Sequence, residues 1–441
     1  MTKDLTISAT DIKFDTSLEF AREMDKVDQL REFRSAFLFP SKLRGENGES
    51  CVYLAGNSLG LEPVKTREYI CDELDDWAAF GVEGHFHARH PWLPYHEFVT
   101  EMSARVVGAL PSEVVVMNTL TTNLHLMMVS FYRPEGKRKK IVIEKGAFPS
   151  DQYAVASQVK FHGHDAKANV IELTPRAGED TLRTEDIVKV FDEQGDEIAL
   201  VVLGNANYLT GQAFDVETLV KAAHKKGILF GLNLAHGAGN LLLKLHDWQV
   251  DFAVWCSYKY LNAGPGGLAG CFVHESHGKD FALPRFAGWW GHNKQSRFKM
   301  PDVFEPMEGA EGWQLSNPPI FQLAALRASL ELFDKATMPA LRAKGDKLTA
   351  YMEYLLEKVN EEVKSGFLQI ITPKDIGARG SQLSLRFQGG KEILDMFKAK
   401  GVVCDFREPD IIRATPAPLY CNFEDVYRFA QVVRHFAAAA K

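Results

Sequence analysis

A single lysine stands between two tyrosines in the segment CSYKYLNAGPGGLAG, residues 256–270. Lys259 follows the apolar run DFAVWCSY, which predicts a strand, so we expect it at that strand's carboxyl end, where open α/β sheets bind ligands. A lysine amine becomes a nucleophile when an apolar or cationic setting lowers its pKa from about 10.4. The glycine-rich run that follows lets the backbone approach a ligand closely. We therefore interpret Lys259 as an amine that forms a Schiff base, against the alternative of an exposed lysine at a strand end.

The same glycine-rich run contains a nominal dinucleotide-binding fingerprint. Gly264, Gly266 and Ala269 follow the pattern G-x-G-x-x-A. That fingerprint requires a helix after the glycines, whereas LAGCFVHE at 268–275 predicts another strand. A P-loop signature with Gly-Lys-Ser/Thr is also missing from the sequence. Nucleotide binding is therefore disfavoured.

Three histidines lie close together in GHFHARH, at positions 85, 87 and 90. Structural and catalytic zinc sites usually place such ligands on a helix or combine them with carboxylates or cysteines. The spacing of His85, His87 and His90 before Pro91 fits neither pattern well. We expect no bound metal.

The elements that must position Lys259 alternate between short β-branched runs and amphipathic helices. Strands are predicted at 139–144, 197–204, 228–235 and 251–258. The segment DVETLVKAAHKKG predicts a crossover helix that Asp215 caps and Gly227 ends. This alternation is typical of a mostly parallel sheet flanked by helices, the α/β class.

The two ends of the chain have a different character. The first fifty residues predict helix followed by a charged, glycine-containing loop. Beyond residue 320 a long helix leads into a mixed segment with strands at LSLRF and IIRAT. We predict an N-terminal helical arm or part of a small domain at 1–50, a large ligand-binding domain at 51–325, and a smaller α+β domain at 326–441.

The composition of the 441 residues limits the possible partners. A hydrophobic fraction of 46% and a charged fraction of 25% are those of a globular protein. The net charge of -7 gives no general attraction to nucleic acid or to an acidic membrane, so a small-molecule substrate is favoured. The six cysteines are scattered and form no CxxC pair, and the first twenty residues lack the pattern of a signal peptide. We expect a cytoplasmic protein.

Many separate motifs, in order from about residue 50 to the end of the chain, closely resemble those of the kynureninase family in its eukaryotic form. These motifs are LAGNSLGL (54–61), VEGHF (82–86), NTLTTNLHLMM (118–128), FPSDQYA (148–154), NLAHGAGN (233–240), CSYKYLNAGPGG (256–267), GWWGH (288–292), SRFKM (296–300), SNPPI (316–320) and APLY (417–420).

This resemblance implies a specific fold and reaction. The family has the fold type I architecture of enzymes that depend on pyridoxal 5'-phosphate (PLP), and it forms homodimers with the active site at the subunit interface. Its members hydrolyse L-kynurenine or L-3-hydroxykynurenine to anthranilate or 3-hydroxyanthranilate plus L-alanine, in tryptophan catabolism and NAD biosynthesis. The resemblance leaves open which of the two substrates is preferred.

The resemblance also implies the residues that hold the cofactor. Lys259 would carry PLP and then move protons, and Tyr258 would be the second catalytic residue. Backbone N–H groups near Leu120 and Thr121 would meet the phosphate at a helix N-terminus, and the Phe148 ring would stack on the cofactor ring. The full cofactor set comprises Leu120, Thr121, Phe148, Pro149, Ser150, Asp151, Asn233, His236, Tyr258, Lys259, Trp289 and Asn317.

A second implied set would bind the substrate. Arg413 is predicted to bind the α-carboxylate, because a guanidinium fork matches a carboxylate with two hydrogen bonds. His85, Ser316 and Asn317 would lie beside the aromatic ring, in the pattern that favours the 3-hydroxy substrate. Ser58 would also line the pocket, unless it is only a turn residue.

One position departs from the family pattern. Fold type I enzymes place an aspartate against the pyridine nitrogen, and here that position is Asn233, in LNLAH. A neutral amide cannot supply the charge that keeps the ring nitrogen protonated. Two alternatives to an active or weakened kynurenine hydrolase therefore stay open: a non-catalytic PLP-binding relative, and another PLP-dependent activity such as a desulfurase or lyase. A desulfurase needs a mobile cysteine, which disfavours that reaction here.

Overall fold

The computed structural model of the protein describes residues 9–45, 48–363, 366–387 and 390–439. Two compact units are present. The large unit comprises Lys65–Tyr208 and Phe214–Asp334, and the small unit comprises Leu209–Ala213 with the described residues up to Val64 and from Lys335 onward. The three-part division made from the sequence stays a prediction.

The strands are β1 (Phe37–Leu38), β2 (Val52–Tyr53), β3 (Glu62–Pro63), β4 (Val114–Val116), β5 (Lys140–Glu144), β6 (Val170–Leu173), β7 (Ile198–Gly204), β8 (Leu229–Asn233), β9 (Phe252–Cys256), β10 (Ala269–Val273), β11 (Leu368–Ile370), β12 (Leu383–Phe387), β13 (Val402–Val403), β14 (Asp405–Arg407) and β15 (Ile411–Ala414). The α-helices are α1 (Leu18–Val27), α2 (Thr66–Phe80), α3 (Gly84–His87), α4 (Glu97–Val107), α5 (Leu120–Phe131), α6 (Pro149–Phe161), α7 (Ala166–Asn169), α8 (Thr184–Gln194), α9 (Val216–Lys225), α10 (Glu275–Gly278), α11 (Ile320–Ala336), α12 (Met338–Val363), α13 (Lys391–Ala399) and α14 (Phe423–Ala439). None of these helices, in the part of the chain that is described, is both long and apolar enough to cross a membrane.

A seven-stranded sheet forms the centre of the large unit, in the order β4-β10-β9-β8-β7-β5-β6. Strands β6, β5, β7, β8 and β9 pair in parallel, while β10 runs antiparallel to both of its neighbours. The four strands predicted from the apolar runs are those of β5, β7, β8 and β9. The predicted mostly parallel α/β sheet is confirmed.

Helix α5 is anchored by an apolar face against this sheet. Leu124, Met127 and Phe131 are at most 1% exposed, and the Phe131 ring stacks on Phe252 of β9 with a centroid distance of 5.0 Å. Burial of such side chains contributes roughly 1.5–3 kcal/mol each. The N-terminus of α5 is therefore held at a fixed place beside the end of β9.

The crossover helix α9 begins and ends as its sequence predicts. The Asp215 side chain accepts a hydrogen bond from Thr218 N at 3.1 Å, and Gly227 adopts a left-handed conformation with φ of +67° just after the helix.

The glycine-rich run after Lys259 leads into a strand, as predicted: Gly264 and Gly266 are followed by β10 rather than by a helix. The dinucleotide fingerprint is therefore not formed.

The small unit contains a four-stranded antiparallel sheet in the order β11-β12-β15-β14. Both strands predicted in the C-terminal part, β12 and β15, are present and are neighbours. Helix α12 packs against α14, and α14 packs against α1. A buried ion pair between Lys344 of α12 and Asp28 joins the N-terminal residues to the C-terminal part, with 2.8 Å between the charged atoms.

A buried carboxylate joins several elements of the large unit. Asp251 lies just before β9 and accepts hydrogen bonds from His224 Nε2 at 3.0 Å, His277 Nε2 at 2.8 Å and Phe230 N at 2.6 Å. Burial acts to raise the pKa of Asp251, but the hydrogen bonds from the two histidines lower it below its usual value. The hydrogen bond to Asp251 in turn raises the pKa of His224. Asp251 therefore connects α9, β8 and α10 to the start of β9.

Replacing this carboxylate is expected to destabilise the large unit. Asp251→Asn should lower the free energy of unfolding by on the order of 1–3 kcal/mol, because charge-assisted hydrogen bonds are lost from a buried position. The contribution of His224 is present below its unfolded pKa of about 6.5 and is lost as the pH rises through its raised folded pKa. Urea unfolding should therefore show a larger loss near pH 6 than near pH 9, and the exposed Asp247→Asn should show none. An equal loss at all pH values would contradict the charged contribution of His224.

Candidate active site

One pocket lies at the carboxyl ends of β5, β7, β8 and the segment after β9. Its lining residues come from the N-termini of α5 and α6 and from the loops that follow the strands: Leu120, Thr121, Glu144, Ala147, Phe148, Ser150, Asp151, Gly204, Ala206, Asn207, Tyr208, Asn233, Ala235, His236, Tyr258 and Lys259. This is the edge at which parallel α/β sheets bind ligands.

Lys259 lies in this pocket among aromatic rings and one histidine. Its Nζ is 3.1 Å from His236 Nε2, 5.8 Å from the centre of the Phe148 ring and 5.9 Å from that of Tyr258. Burial raises the pKa of Tyr258 to about 12, so this phenol keeps its proton at neutral pH. The pocket thus combines a primary amine with a phenol donor and a flat aromatic wall.

The N-terminus of α5 supplies the pocket with backbone N–H groups. Thr119 is the N-cap, but its side chain accepts no hydrogen bond from the helix, so it does not occupy the first N–H groups. Leu120 and Thr121 line the pocket. The first N–H groups of a helix lack intrahelical acceptors and lie at the positive end of its dipole. This end of α5 is therefore suited to an anionic group such as a phosphate.

A carboxylate and an amide face each other on another side of the pocket. Asn233 Nδ2 donates to both oxygens of Asp151, at 2.9 and 2.8 Å, and its Oδ1 accepts from Ala235 N at 2.9 Å. These bonds determine which way the amide points. Burial raises the pKa of Asp151 to about 6, although the Asn233 amide and the Lys259 charge both act to lower it. Asp151 therefore carries negative charge next to Asn233 at neutral pH.

Glu144 is a pocket residue that the sequence analysis did not select. It is 5% exposed and ends β5, and its Oε1 and Oε2 accept from Gly204 N at 3.0 Å and Asn207 Nδ2 at 2.5 Å. Burial raises its pKa to about 7. Asn207 and Tyr208 were missed as well. A charged residue at the end of an apolar strand was the available signal for Glu144, whereas loop residues such as Asn207 carry no such signal.

Most of the predicted cofactor residues line the same pocket as Lys259. These are Leu120, Thr121, Phe148, Ser150, Asp151, Asn233, His236 and Tyr258. Pro149 begins α6 between two lining residues but does not line the pocket. Trp289 and Asn317 also do not line it.

Four predicted site residues of the large unit lie outside the Lys259 pocket, and three of them are exposed. Trp289 is 40% exposed and donates from Nε1 to the backbone oxygen of Arg297 at 3.0 Å. Ser316 and Asn317 are exposed. His85 is half-buried, with Nδ1 2.9 Å from the backbone oxygen of Val82. None of these four residues contributes to the Lys259 pocket within one chain.

Two further predicted residues belong to the small unit. Arg413 is 1% exposed, and its Nη2 and Nε lie 2.8 and 3.1 Å from Asp405 Oδ1. Ser58 is half-buried, and its backbone N donates to Ala55 O at 2.9 Å. The Arg413 guanidinium is thus held in place by a neighbouring carboxylate.

The three histidines of GHFHARH have separate partners. His85 faces the Val82 backbone, His87 is exposed with Nε2 3.8 Å from Glu83, and His90 Nε2 lies 2.9 Å from Arg327 Nη1. A positively charged guanidinium beside His90 is an unfavourable neighbour for a metal cation. His85 and His90 are thus each within hydrogen-bond distance of a different partner.

A different cluster combines Glu113 with His246 and His274. His246 Nδ1 lies 2.9 Å from Glu113 Oε1, and His274 Nε2 lies 4.0 Å from the same oxygen. The two imidazole rings are stacked, with an interplanar angle of 14°. Within this cluster the His246 ring is hydrogen-bonded to the Glu113 carboxylate.

Solved structures share the fold of this chain. The apo structure of a cysteine desulfurase from Thermococcus onnurineus NA1 matches with a TM-score of 0.72 and 16% identity, covering 91% of this chain and 99% of that chain. A mutant of C-DES with glycine covalently linked to its PLP cofactor matches with a TM-score of 0.71 and 16% identity, covering 89% and 99%. These matches confirm the predicted fold class, the fold type I architecture with a large, mostly parallel sheet flanked by helices.

Sequence relatives are much closer. The family model described as kynureninase C-terminal domain matches residues 341–433. The kynureninase of Myxococcus xanthus (strain DK1622) is 63% identical over 425 residues, which is 96% of this chain and 98% of that protein. The kynureninase of Koribacter versatilis (strain Ellin345) is 55% identical over 419 residues, 95% of this chain and 97% of that protein. Both relatives are bacterial, and the eukaryotic form of the motifs stays a prediction. With these identities along nearly its full length, the chain belongs to the kynureninase family.

Proposed function

We propose that this protein hydrolyses L-kynurenine or L-3-hydroxykynurenine to anthranilate or 3-hydroxyanthranilate and L-alanine, with PLP as its cofactor. The observation that carries the proposal is the 63% identity to a kynureninase over 96% of the chain. Desulfurase activity gains no support, because the shared fold with cysteine desulfurases comes at 16% identity and the reaction depends on the site rather than the fold.

The donor set of the pocket fits PLP. Lys259 supplies an amine for the cofactor aldehyde, the uncapped N-terminus of α5 suits the phosphate, and the Phe148 ring offers a face for the pyridine ring. When bound, PLP acts as an electron sink for the bonds at the amino-acid α-carbon and β-carbon. Each feature of the cofactor thus has a chemical partner among the described residues.

Lys259 is the residue that anchors the cofactor and then moves protons. Its Nζ is held by His236 Nε2 at 3.1 Å, which limits the directions in which the amine can point. A positioned amine that has been released from the cofactor can accept and return the substrate α-proton. The Tyr258 phenol, which keeps its proton because burial raises its pKa to about 12, is our candidate proton donor within the same pocket.

Asp151 is the residue that supplies the negative charge missing at position 233. Asn233 Nδ2 contacts both of its oxygens, and the Asn233 Oδ1 is committed to Ala235 N, so the amide can offer the pyridine nitrogen a donor but no charge. The Asp151 carboxylate therefore determines the electrostatic potential at this side of the cofactor. Asn233→Asp would place a second carboxylate within 3 Å of the first, and two such groups share one proton.

The substrate is proposed to be held by residues outside the Lys259 pocket of a single chain. Arg413 is our candidate for the α-carboxylate, since its guanidinium is buried and held in one orientation by Asp405. His85, Ser316 and Asn317 are proposed to face the aromatic ring, in the arrangement that favours the 3-hydroxy substrate. Ser58 is proposed to line the substrate pocket.

A homodimer with a shared active site accounts for the exposed residues. Trp289 and Asn317, which the family resemblance assigns to the cofactor, are exposed and outside the pocket of their own chain. The surface near α2 and α3 also exposes large apolar side chains, including Trp77 at 59% and Phe86 at 56%. Exposed apolar patches mark interaction sites. We propose that a second copy covers this surface.

We also propose that the protein belongs in a reducing compartment such as the cytoplasm, because its six cysteines are free.

The first prediction concerns the cofactor anchor. Purified protein loaded with PLP should show a visible absorption band, and borohydride reduction should attach the cofactor covalently to the peptide that contains Lys259. Mass spectrometry of the digest identifies that peptide. Lys279→Ala, at an exposed lysine, should not change the result, whereas Lys259→Ala should abolish it. A label on any other lysine would contradict the assignment.

A second prediction concerns the charge at Asp151. Asp151→Asn should reduce kcat for kynurenine hydrolysis by about ten- to a hundredfold, the effect of losing roughly 1.5–3 kcal/mol from a contact with a charged group. Asn233→Asp should change kcat much less, because the new carboxylate shares a proton with Asp151. Asp192→Asn, on the exposed face of α8, serves as the control. Asp151 does not supply the charge if its amide variant retains full turnover.

A third prediction tests the shared site by complementation. Lys259→Ala and Trp289→Ala are each expected to be inactive as separate proteins. Mixing them under conditions that exchange subunits should restore about a quarter of the sites, because one site of each mixed dimer carries neither substitution. If both residues act within one chain, every site of a mixed dimer keeps one defect, and no activity returns.

A further inference from the structure

We propose that Glu144 is a positioning residue of the Lys259 pocket, whose carboxylate holds the loop of residues 204–208 and, through Tyr208, the Phe148 ring in the geometry that binds PLP. The proposal rests on the proposed PLP-dependent function. It adds a residue that neither the family motifs nor the lysine chemistry indicates.

The first support is the pairing of both carboxylate oxygens. Glu144 Oε1 accepts from the backbone N of Gly204 and Oε2 from the side-chain amide of Asn207. A carboxylate offers only acceptors, whereas a glutamine offers one acceptor oxygen and one NH2 group. A glutamine at this position would set an NH2 group against one of the two N–H donors. The negatively charged form of Glu144 is thus the form that satisfies the loop.

The second support is the path from this loop to the cofactor wall. Tyr208 follows Asn207 directly, and its ring meets Phe148 edge to face, with centroids 5.4 Å apart and an interplanar angle of 82°. The Phe148 ring is 43% exposed and lies 5.8 Å from Lys259 Nζ. Because so much of this ring is uncovered, the Tyr208 edge contributes strongly to its orientation. Release of the loop from Glu144 would therefore let the aromatic wall tilt.

The electrostatics of the pocket give this arrangement a pH dependence. The titratable groups that share the pocket with Glu144 are Asp151 from α6, Tyr208 after β7, His236 after β8, and Tyr258 and Lys259 after β9. Burial raises the pKa of Glu144 to about 7, although the hydrogen bonds from Asn207 and Gly204 act to lower it; the nearby Asp151 carboxylate makes a smaller contribution that raises it. As the pH falls through this value, Glu144 gains a proton and loses an acceptor. PLP binding should weaken on the acid side.

The test compares PLP binding by the unmodified full-length protein, Glu144→Gln and the control Glu172→Gln. Glu172 lies on the neighbouring strand β6 and is exposed. Titration of PLP, followed by the visible absorption band, should give a dissociation constant about tenfold larger for Glu144→Gln above pH 8, the effect of one lost charge-assisted contact. The weakening of PLP binding as the pH falls through about 7 should also be absent from Glu144→Gln. Glu172→Gln should match the unmodified protein in both respects.

A double-variant comparison tests the route through the aromatic ring. If Glu144 acts by orienting Phe148, Glu144→Gln should weaken PLP binding less than twofold in a Phe148→Ala background. Independent, multiplicative effects would overturn the proposal, as would an unchanged affinity and pH profile in Glu144→Gln alone. If Glu144→Gln does not fold, as judged by thermal unfolding without PLP, Asn207→Ala removes the same contact from the loop side and should give the same tenfold loss. An unmodified protein that binds no PLP would refute the proposed function instead.

Discussion

Strands β5, β7, β8 and β9 run parallel, so their carboxyl ends lie at one edge of the sheet, and this convergence is the constraint on which the site depends. Backbone groups beyond the last strand pairing have lost their ladder partners and must be satisfied by side chains. Glu144 does this for Gly204 N, and the Asn233 side chain does it for Ala235 N. Glu144 and Asn233 are therefore themselves the last residues of β5 and β8, and their side chains complete the hydrogen bonding at these strand ends.

The same edge concentrates charge in a partly buried space. Asp151 and Glu144 both have pKa values raised by burial, to about 6 and about 7, and the Lys259 charge acts to lower that of Asp151. The N-terminus of α5 adds a positive partial charge without a titratable group. The N-terminus of α5 therefore suits an anionic ligand. Elsewhere in the pocket, the carboxyl groups of Asp151 and Glu144 can take up or release protons. With the neutral amide of Asn233 in place of the family aspartate, Asp151 is the carboxylate that remains next to this position.

The sequence predicted the parts of the fold that local patterns determine. The α9 helix from its Asp215 cap, the strand after the Gly264 run, and the position of Lys259 after an apolar strand are all confirmed, because each depends on residues close in the chain. The contacts of Glu144 with Asn207 and of Asp151 with Asn233 join residues 63 and 82 positions apart. No local pattern encodes such pairs. They follow from the way the loop after β7 and the start of α6 meet the ends of β5 and β8 in three dimensions.

We propose that Lys259 carries the PLP with which this protein hydrolyses kynurenine. Incubation of the PLP-loaded protein with L-kynurenine, in parallel with the Lys259→Ala variant, tests it most directly when both products are identified by mass spectrometry. The account predicts equal amounts of anthranilate and L-alanine from the unmodified protein and neither product from the variant. Formation of no alanine, or of the same products by the Lys259→Ala variant, would contradict it.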